Sequence, residues 1–409
     1  MKSMRVAGAL FCLGLLVAAC GPSHQSPQLS GGYKLYEAVS ANSSPLVSVI
    51  DSRSHASERR LPLGVPSGDW KHIYSTSGTS LIDTDAQTGA TLNTMQLPGV
   101  FQLPQATITG VPGGTSPDGR WLVVESYEGS TKGVPNASHM LLIDTAASKI
   151  TDRVNLAGYF RFDAISNDGL RLYLIQYLIG KEYYVRLYDI DLNKLDENIV
   201  VDKSDGNQAM TGLRLSGIAS PDGHTLFSMY VRENDNPFIH ALSLDGPFAF
   251  CLDLPGNGYA GGKADMQWSL AMNGDGTRLY AVNAATGLVA VVDTSNQYSP
   301  QIIRTAKIAF EGTSSIGATA AVISPDGKTI VTAGSSGIVW VDTSSLTVRM
   351  KSLSEWHVWS LGLSPDGQIL YAVSDTGGIA ELSMASGTVS NGFDPAQGRP
   401  IALMHVAAA

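Results

Sequence analysis

The chain has 409 residues, of which 15% are charged; it contains 43 glycines and carries a net charge of −9. An acidic body repels phosphate backbones, and no basic run interleaved with aromatics offsets this, which argues against nucleic acid as a partner. Few charges with abundant Gly, Ser and Thr suit short strands and tight turns rather than long surface helices.

The first element in chain order is an address. Lys2 and Arg5 precede an apolar run from Val6 to Ala19, shorter than the ~20 apolar residues of a membrane span. The run ends in "VAAC": Ala18 and Ala19 let a peptidase approach the backbone, and Cys20 offers a thiol for acylation. This resembles a bacterial lipobox, with Val17 where Leu is commoner. The resemblance implies a signal peptide over residues 1–19, cleavage before Cys20 and lipidation of that residue. An ordinary signal peptide with a chance Cys is the bland alternative. Loss of the first 19 residues, which hold two cations and no acid, takes the charge from −9 to −11. Residues 20–32, rich in Pro, Ser, Gln and Gly, read as a flexible tether. The expected location is extracytoplasmic, at the periplasmic face or the cell surface, with the membrane as a partner through the lipid.

Residues 33–409 form the body. Of Cys12, Cys20 and Cys251, only the last falls within it, so no internal disulfide is possible. No haem-attachment or zinc spacing occurs, so no cofactor and no metal are expected.

The body repeats itself. The turn "SPDG" or a close variant centres on Asp118, Asp168, Asp222, Asp275, Asp326 and Asp366, with a degenerate copy at Asp69. The intervals from Asp69 onward are 49, 50, 54, 53, 51 and 40 residues. A constant core with unequal spacing means fixed strands and variable loops. Most copies are followed by an apolar strand ending in Asp, at Asp83, Asp144, Asp189, Asp293 and Asp342. Each unit reads as four strands, and one such sheet cannot bury both faces alone. Sheets stacked around an axis bury them against each other, which predicts an all-β chain folded as a single β-propeller of four-stranded blades. Closure is ambiguous. "KLYEAVS" and "LVSVIDSRS" near the start lack a first strand, and "GRPIALMHV" at the end lacks successors. Pairing the two ends gives eight blades. The short gap between Asp51 and Asp69 favours seven.

"RLYAVNAATGLVAVVDT", Arg278–Thr294, resembles the YVTN-type propeller repeat. The likeness spans roughly Tyr33 to Ala409 and is informative about architecture. Relatives of this shape include surface-layer repeats, lactonases and haem- or quinone-linked enzymes, and no catalytic signature transfers residue by residue.

The repeated Asp of the turn is expected to be a turn former, because a residue present in every blade cannot mark one site. "DIDLNKLDENIV", Asp189–Val200, alternates acids as a calcium loop does, but has Lys194 at the sixth position and Val200 at the twelfth; turn capping is the better reading. Cys251, on the apolar strand "FAFCLDL", reads as a packed thiol. The variable segments upstream of each turn should gather on one face around the channel. They bring Arg161, Arg214, Lys263, Asp265, Trp268, Trp356 and His357, a set suited to a small anionic or glycan-like ligand. Padding aromatics and solvated charges are the alternative. The expected function is a lipid-anchored binding or assembly module of the cell envelope, for a protein or small ligand. A lactonase-like hydrolase working at the channel face is the runner-up.

Overall fold

The computed structural model describes residues 32–409 except 42–43, 106, 108–109, 179, 203–205, 207, 311–319 and 396–397. The signal peptide, Cys20 and nearly all of the tether lie outside the described residues. Among the described residues the chain is strands and turns, with one short 3-10 turn at Lys263–Met266.

There are eight sheets, so the expected seven blades must be corrected to eight. The extra blade is the one that closes the ring. Its inner strand is the C-terminal Arg399–Ala408, paired antiparallel with Tyr33–Ala41; Ser44–Asp51 and Ser57–Pro62 lie outside it. The short gap that argued for seven is spanned economically. Ser57–Pro62 ends the first blade, and the two-residue strand Val65–Pro66 opens the second.

The second blade continues with His72–Ser77, Ser80–Asp85 and Thr91–Gln96. The fourth contains Phe160–Ile165, Arg171–Tyr177, Tyr183–Asp189 and Lys194–Ile199; the fifth contains Leu213–Ala219, Thr225–Val231, Phe238–Ser243 and Ala249–Asp253. The sixth runs from Trp268 to Lys307, the seventh from Ala320 to Ser352 and the eighth from Val358 to Phe393. The YVTN-like stretch is the central hairpin of the sixth blade. Asn283 caps its turn, accepting from the Ala285 and Thr286 amides at 2.9 Å each.

The third blade is irregular. It has three strands, Trp121–Glu128, Ala137–Asp144 and Lys149–Ala157. Where an inner strand would lie, isolated bridges join Gln102 to Glu125 and Thr115 to Leu122. Pro104 and Pro112 have no amide hydrogen to donate to a ladder. Gly114 has φ 118°, and a Cβ there would meet the Val123 carbonyl at 2.6 Å.

The core is not one mass but eight. One apolar cluster fills each junction between neighbouring blades. The eighth–first junction is typical, with Tyr371, Val373 and Ile379 against Tyr33 and Leu35. This is why strands at the second and third positions of a blade, such as Gly337–Asp342, are buried on both faces.

The repeated turns are alike in atomic detail. In six of them the Ser hydroxyl donates to the Asp carboxylate at 2.5–2.7 Å: Ser67–Asp69, Ser116–Asp118, Ser166–Asp168, Ser220–Asp222, Ser324–Asp326 and Ser364–Asp366. The same carboxylate accepts the amide two residues on, as Lys328 N to Asp326 at 3.1 Å. In five of the six the following residue is a Gly at positive φ, 69° at Gly327, where a Cβ would strain the backbone; at Asp69 it is Trp70, at φ 56°. At Asp275 the Ser position is taken by Asn273, and the Thr277 hydroxyl donates to the carboxylate at 2.7 Å. The Asp after the third strand is also a cap: Asp342 accepts from the Ser344 and Ser345 amides, and Asp189 from that of Leu192.

Candidate functional site

The connections from each outer strand to the next inner strand share one face with the loops joining second to third strands. On that face a cavity of about 970 Å³ opens between the fourth and fifth blades. Its lining comes from the inner strands of both blades, through Arg161, Asp163 and Arg214, and from Gln105 and Thr107 before the third blade's first strand.

Two guanidinium groups come from the inner strands of the two blades, Arg161 and Arg214. Each reaches back to a buried carboxylate on the preceding blade. Arg214 Nη1 lies 2.8 Å from Asp163 Oδ1. Arg161 Nε lies 3.7 Å from Glu125 Oε1, while the Phe162 amide donates to Glu125 Oε2 at 3.2 Å. Burial raises the pKa of Asp163 and of Glu125, and the nearby arginine opposes the rise in each case. Asp163 sits at a bulge in its strand, between Phe162 and Ala164 in the pairing register, and lines the cavity as Arg161 does.

The walls are tyrosines. Rings follow one another from the third blade to the fifth: Tyr127–Tyr159 at 5.4 Å, Tyr159–Tyr177 at 4.8 Å, Tyr177–Tyr183 at 6.4 Å, Tyr183–Tyr230 at 6.1 Å and Tyr230–Phe238 at 5.2 Å. Tyr177, Tyr183, Tyr230 and Tyr259 line the cavity. Burial pushes the phenols of Tyr177, Tyr183 and Tyr230 upward, so they remain proton donors at neutral pH. Behind Tyr230, His240 is buried. Burial, then the Arg214 charge, lowers its pKa to about 4, which keeps the ring neutral.

The mouth is made by loops from the second strands. Lys181 Nζ meets Glu233 Oε2 at 2.5 Å, joining the fourth blade to the fifth across the opening. Arg232 lies over the Phe238 ring at 4.1 Å and contacts Asp253 at 3.0 Å and Asp235 at 3.4 Å.

Of the seven candidates read from sequence, the cavity unites Arg161 and Arg214. The other five lie apart from it. Lys263 and Asp265 belong to the 3-10 turn before the sixth blade, where Asp265 accepts the Asn257 amide at 3.4 Å. Trp268 is 2% exposed in the core between the fifth and sixth blades. Trp356 packs against the seventh–eighth core, and exposed His357 stands 3.5 Å from Asp375. Cys251 is half-buried and packs against the fourth–fifth core. Among the described residues no three His, Cys, Asp or Glu side chains converge as metal ligands.

Sequence reasoning missed Glu125, Asp163, Lys181 and the tyrosines. Asp163 and Tyr159 lie in the segment entering the fourth blade, beside Arg161, while Lys181 lies on a loop after a second strand, which reaches the same face. A usable signal existed: nine of the fifteen tyrosines fall between residues 127 and 259.

Neither a family model nor a curated sequence matches this chain. Solved structures do match in fold. Apo AztD from Citrobacter koseri has a TM-score of 0.58 at 14% identity, over 93% of this chain and 98% of that one. Dihydro-heme d1 dehydrogenase NirN, in complex with DHE, has a TM-score of 0.53 at 13% identity, over 90% and 74%. The periplasmic gluconolactonase PpgL of Pseudomonas aeruginosa gives 0.46 at 16% identity, over 90% and 97%. At such identities the likeness concerns the propeller fold alone.

Proposed function

We propose that this chain is a lipid-anchored, extracytoplasmic binding propeller of the YVTN-type repeat class. It holds a small polar ligand in the cavity between the fourth and fifth blades. The cavity itself carries this reading: it is the size of a small-molecule site, about 300–1,000 Å³, and it joins apolar ring faces to a few charged groups. The lipobox-like "VAAC" and the tether after it support anchoring through Cys20. Binding is favoured over hydrolysis because the cavity carboxylates are engaged. Asp163 pairs with Arg214, Glu233 with Lys181 and Asp235 with Arg232.

Thermal-shift screening of the purified chain against small carboxylates, phosphates and sugars tests the site. A ligand that raises the melting temperature of the wild type, and of Asp326→Ala, but not of Arg214→Ala supports it. A ligand whose effect survives Arg214→Ala contradicts it. For the anchor, Cys20→Ser should move the protein from the membrane fraction to the soluble one; retention in the membrane would refute lipidation as the cause.

A further inference from the structure

The cavity's acceptors are occupied, but several of its donors are not. Asp163, Glu233 and Asp235 each face a cation. In contrast, the Tyr183 hydroxyl meets no carboxylate or carbonyl; its polar neighbour is the Tyr230 phenol, and the residue is 4% exposed and lines the cavity. Arg214 Nε is also buried without a partner. Arg161 offers its terminal nitrogens weakly, with a 3.4 Å bond to the Gln105 carbonyl. A buried donor left unmade is costly, and this cost is relieved by a ligand that brings acceptors. The unspent capacity of the cavity is therefore for lone pairs.

The groups flanking those donors are flat. Tyr177 is stacked on Tyr159 through one face and is 39% exposed, so its remaining surface is available to the cavity. Tyr230 and Tyr259 add further ring surface. A planar acceptor group fits a guanidinium edge and a phenol together, and a planar body fits between ring faces. Resting on the cavity as the binding site, we infer that its ligand is an aromatic carboxylate. The carboxylate docks on the Arg214 and Arg161 guanidinium groups and the Tyr183 hydroxyl, and the ring lies against Tyr177.

Calorimetric titration of the purified full chain with benzoate, 4-hydroxybenzoate and indole-3-carboxylate tests this, with the matching amides and inorganic phosphate as controls. At least one acid should bind saturably, and its amide should bind about ten-fold or more weakly, the loss expected for a charge-assisted pair. Tyr183→Phe keeps the ring and removes the donor; it should weaken the acid several-fold and leave the amide unchanged. Arg214→Lys keeps the charge and loses the Nε donor, and should cost about ten-fold. Equal binding of acid and amide, or binding of phosphate or a neutral sugar alone, overturns the ligand class while the cavity stands, provided Arg214→Lys weakens whatever binds. Acid binding untouched by Tyr183→Phe, Arg214→Lys and Tyr177→Ala overturns the cavity itself. Absence of binding by every probe overturns the inference.

Discussion

The two faces of this propeller are built on opposite rules. On one face the same Ser-x-Asp-Gly turn recurs from blade to blade with nearly the same bond lengths. On the other, the third to fifth blades carry an arginine pair, two buried carboxylates and a run of tyrosines. The repeated face shows what a blade needs in order to fold. The unrepeated face shows what this chain has added to the ring. In a repeat protein, chemistry is therefore sought where the repeat is broken, and here the irregular inner segment of the third blade, the bulge at Asp163 and the cavity adjoin one another.

Perturbations of the scaffold should be large and leave the cavity's selectivity untouched. Removing Arg399–Ala408 takes the inner strand from the first blade and leaves Tyr33–Ala41 unpaired on that side. No cooperative unfolding transition should remain by circular dichroism; a truncated chain melting like wild type would show that closure is dispensable. Trp340 is fully buried between the seventh and eighth blades and donates to the Met384 carbonyl at 3.0 Å. Trp340→Ala should cost about 3–5 kcal/mol in denaturant unfolding.

A pH effect comes next. Glu37 is buried at the closing seam, has an unpartnered Oε1, and has its pKa raised to about 8 by burial and then by Asp394. Below pH 4.5 both folded and unfolded chains hold this proton. Between 4.5 and about 8 only the folded chain does, so this group's contribution to stability falls as pH rises. The slope is at most about 1.4 kcal/mol per pH unit. Glu37→Gln should flatten the stability profile between pH 4.5 and about 8, and an unchanged profile would place the proton elsewhere. The smallest effect belongs to the repeated turn. Asp326→Ala removes one exposed cap and should cost about 1 kcal/mol, with no change in ligand affinity. A loss of affinity there would blur the division between the faces.

Much of the fold was legible in sequence because a propeller repeats its turn chemistry. Seven Asp-centred turns mark seven hairpins. The eighth blade was harder, since its strands lie more than 350 residues apart in the chain, at Tyr33 and Arg399. Local pattern carries no information about such pairing. The site was half legible. Arg161 and Arg214 stood out as cations just upstream of repeat turns, but their partners did not. Asp163 reads as an ordinary strand residue, and Glu125 sits in an apolar run, "WLVVESYE". Only the three-dimensional stacking of blades brings each to its arginine.

The central claim is that the ligand occupies the cavity between the fourth and fifth blades. A crystal structure of the protein soaked with a binding aromatic carboxylate tests it most directly. The account predicts density between Tyr177, Tyr183 and Tyr230, with the carboxylate within hydrogen-bond distance of Arg214. Density only outside that cavity, for example beside Trp356 and His357, would contradict it.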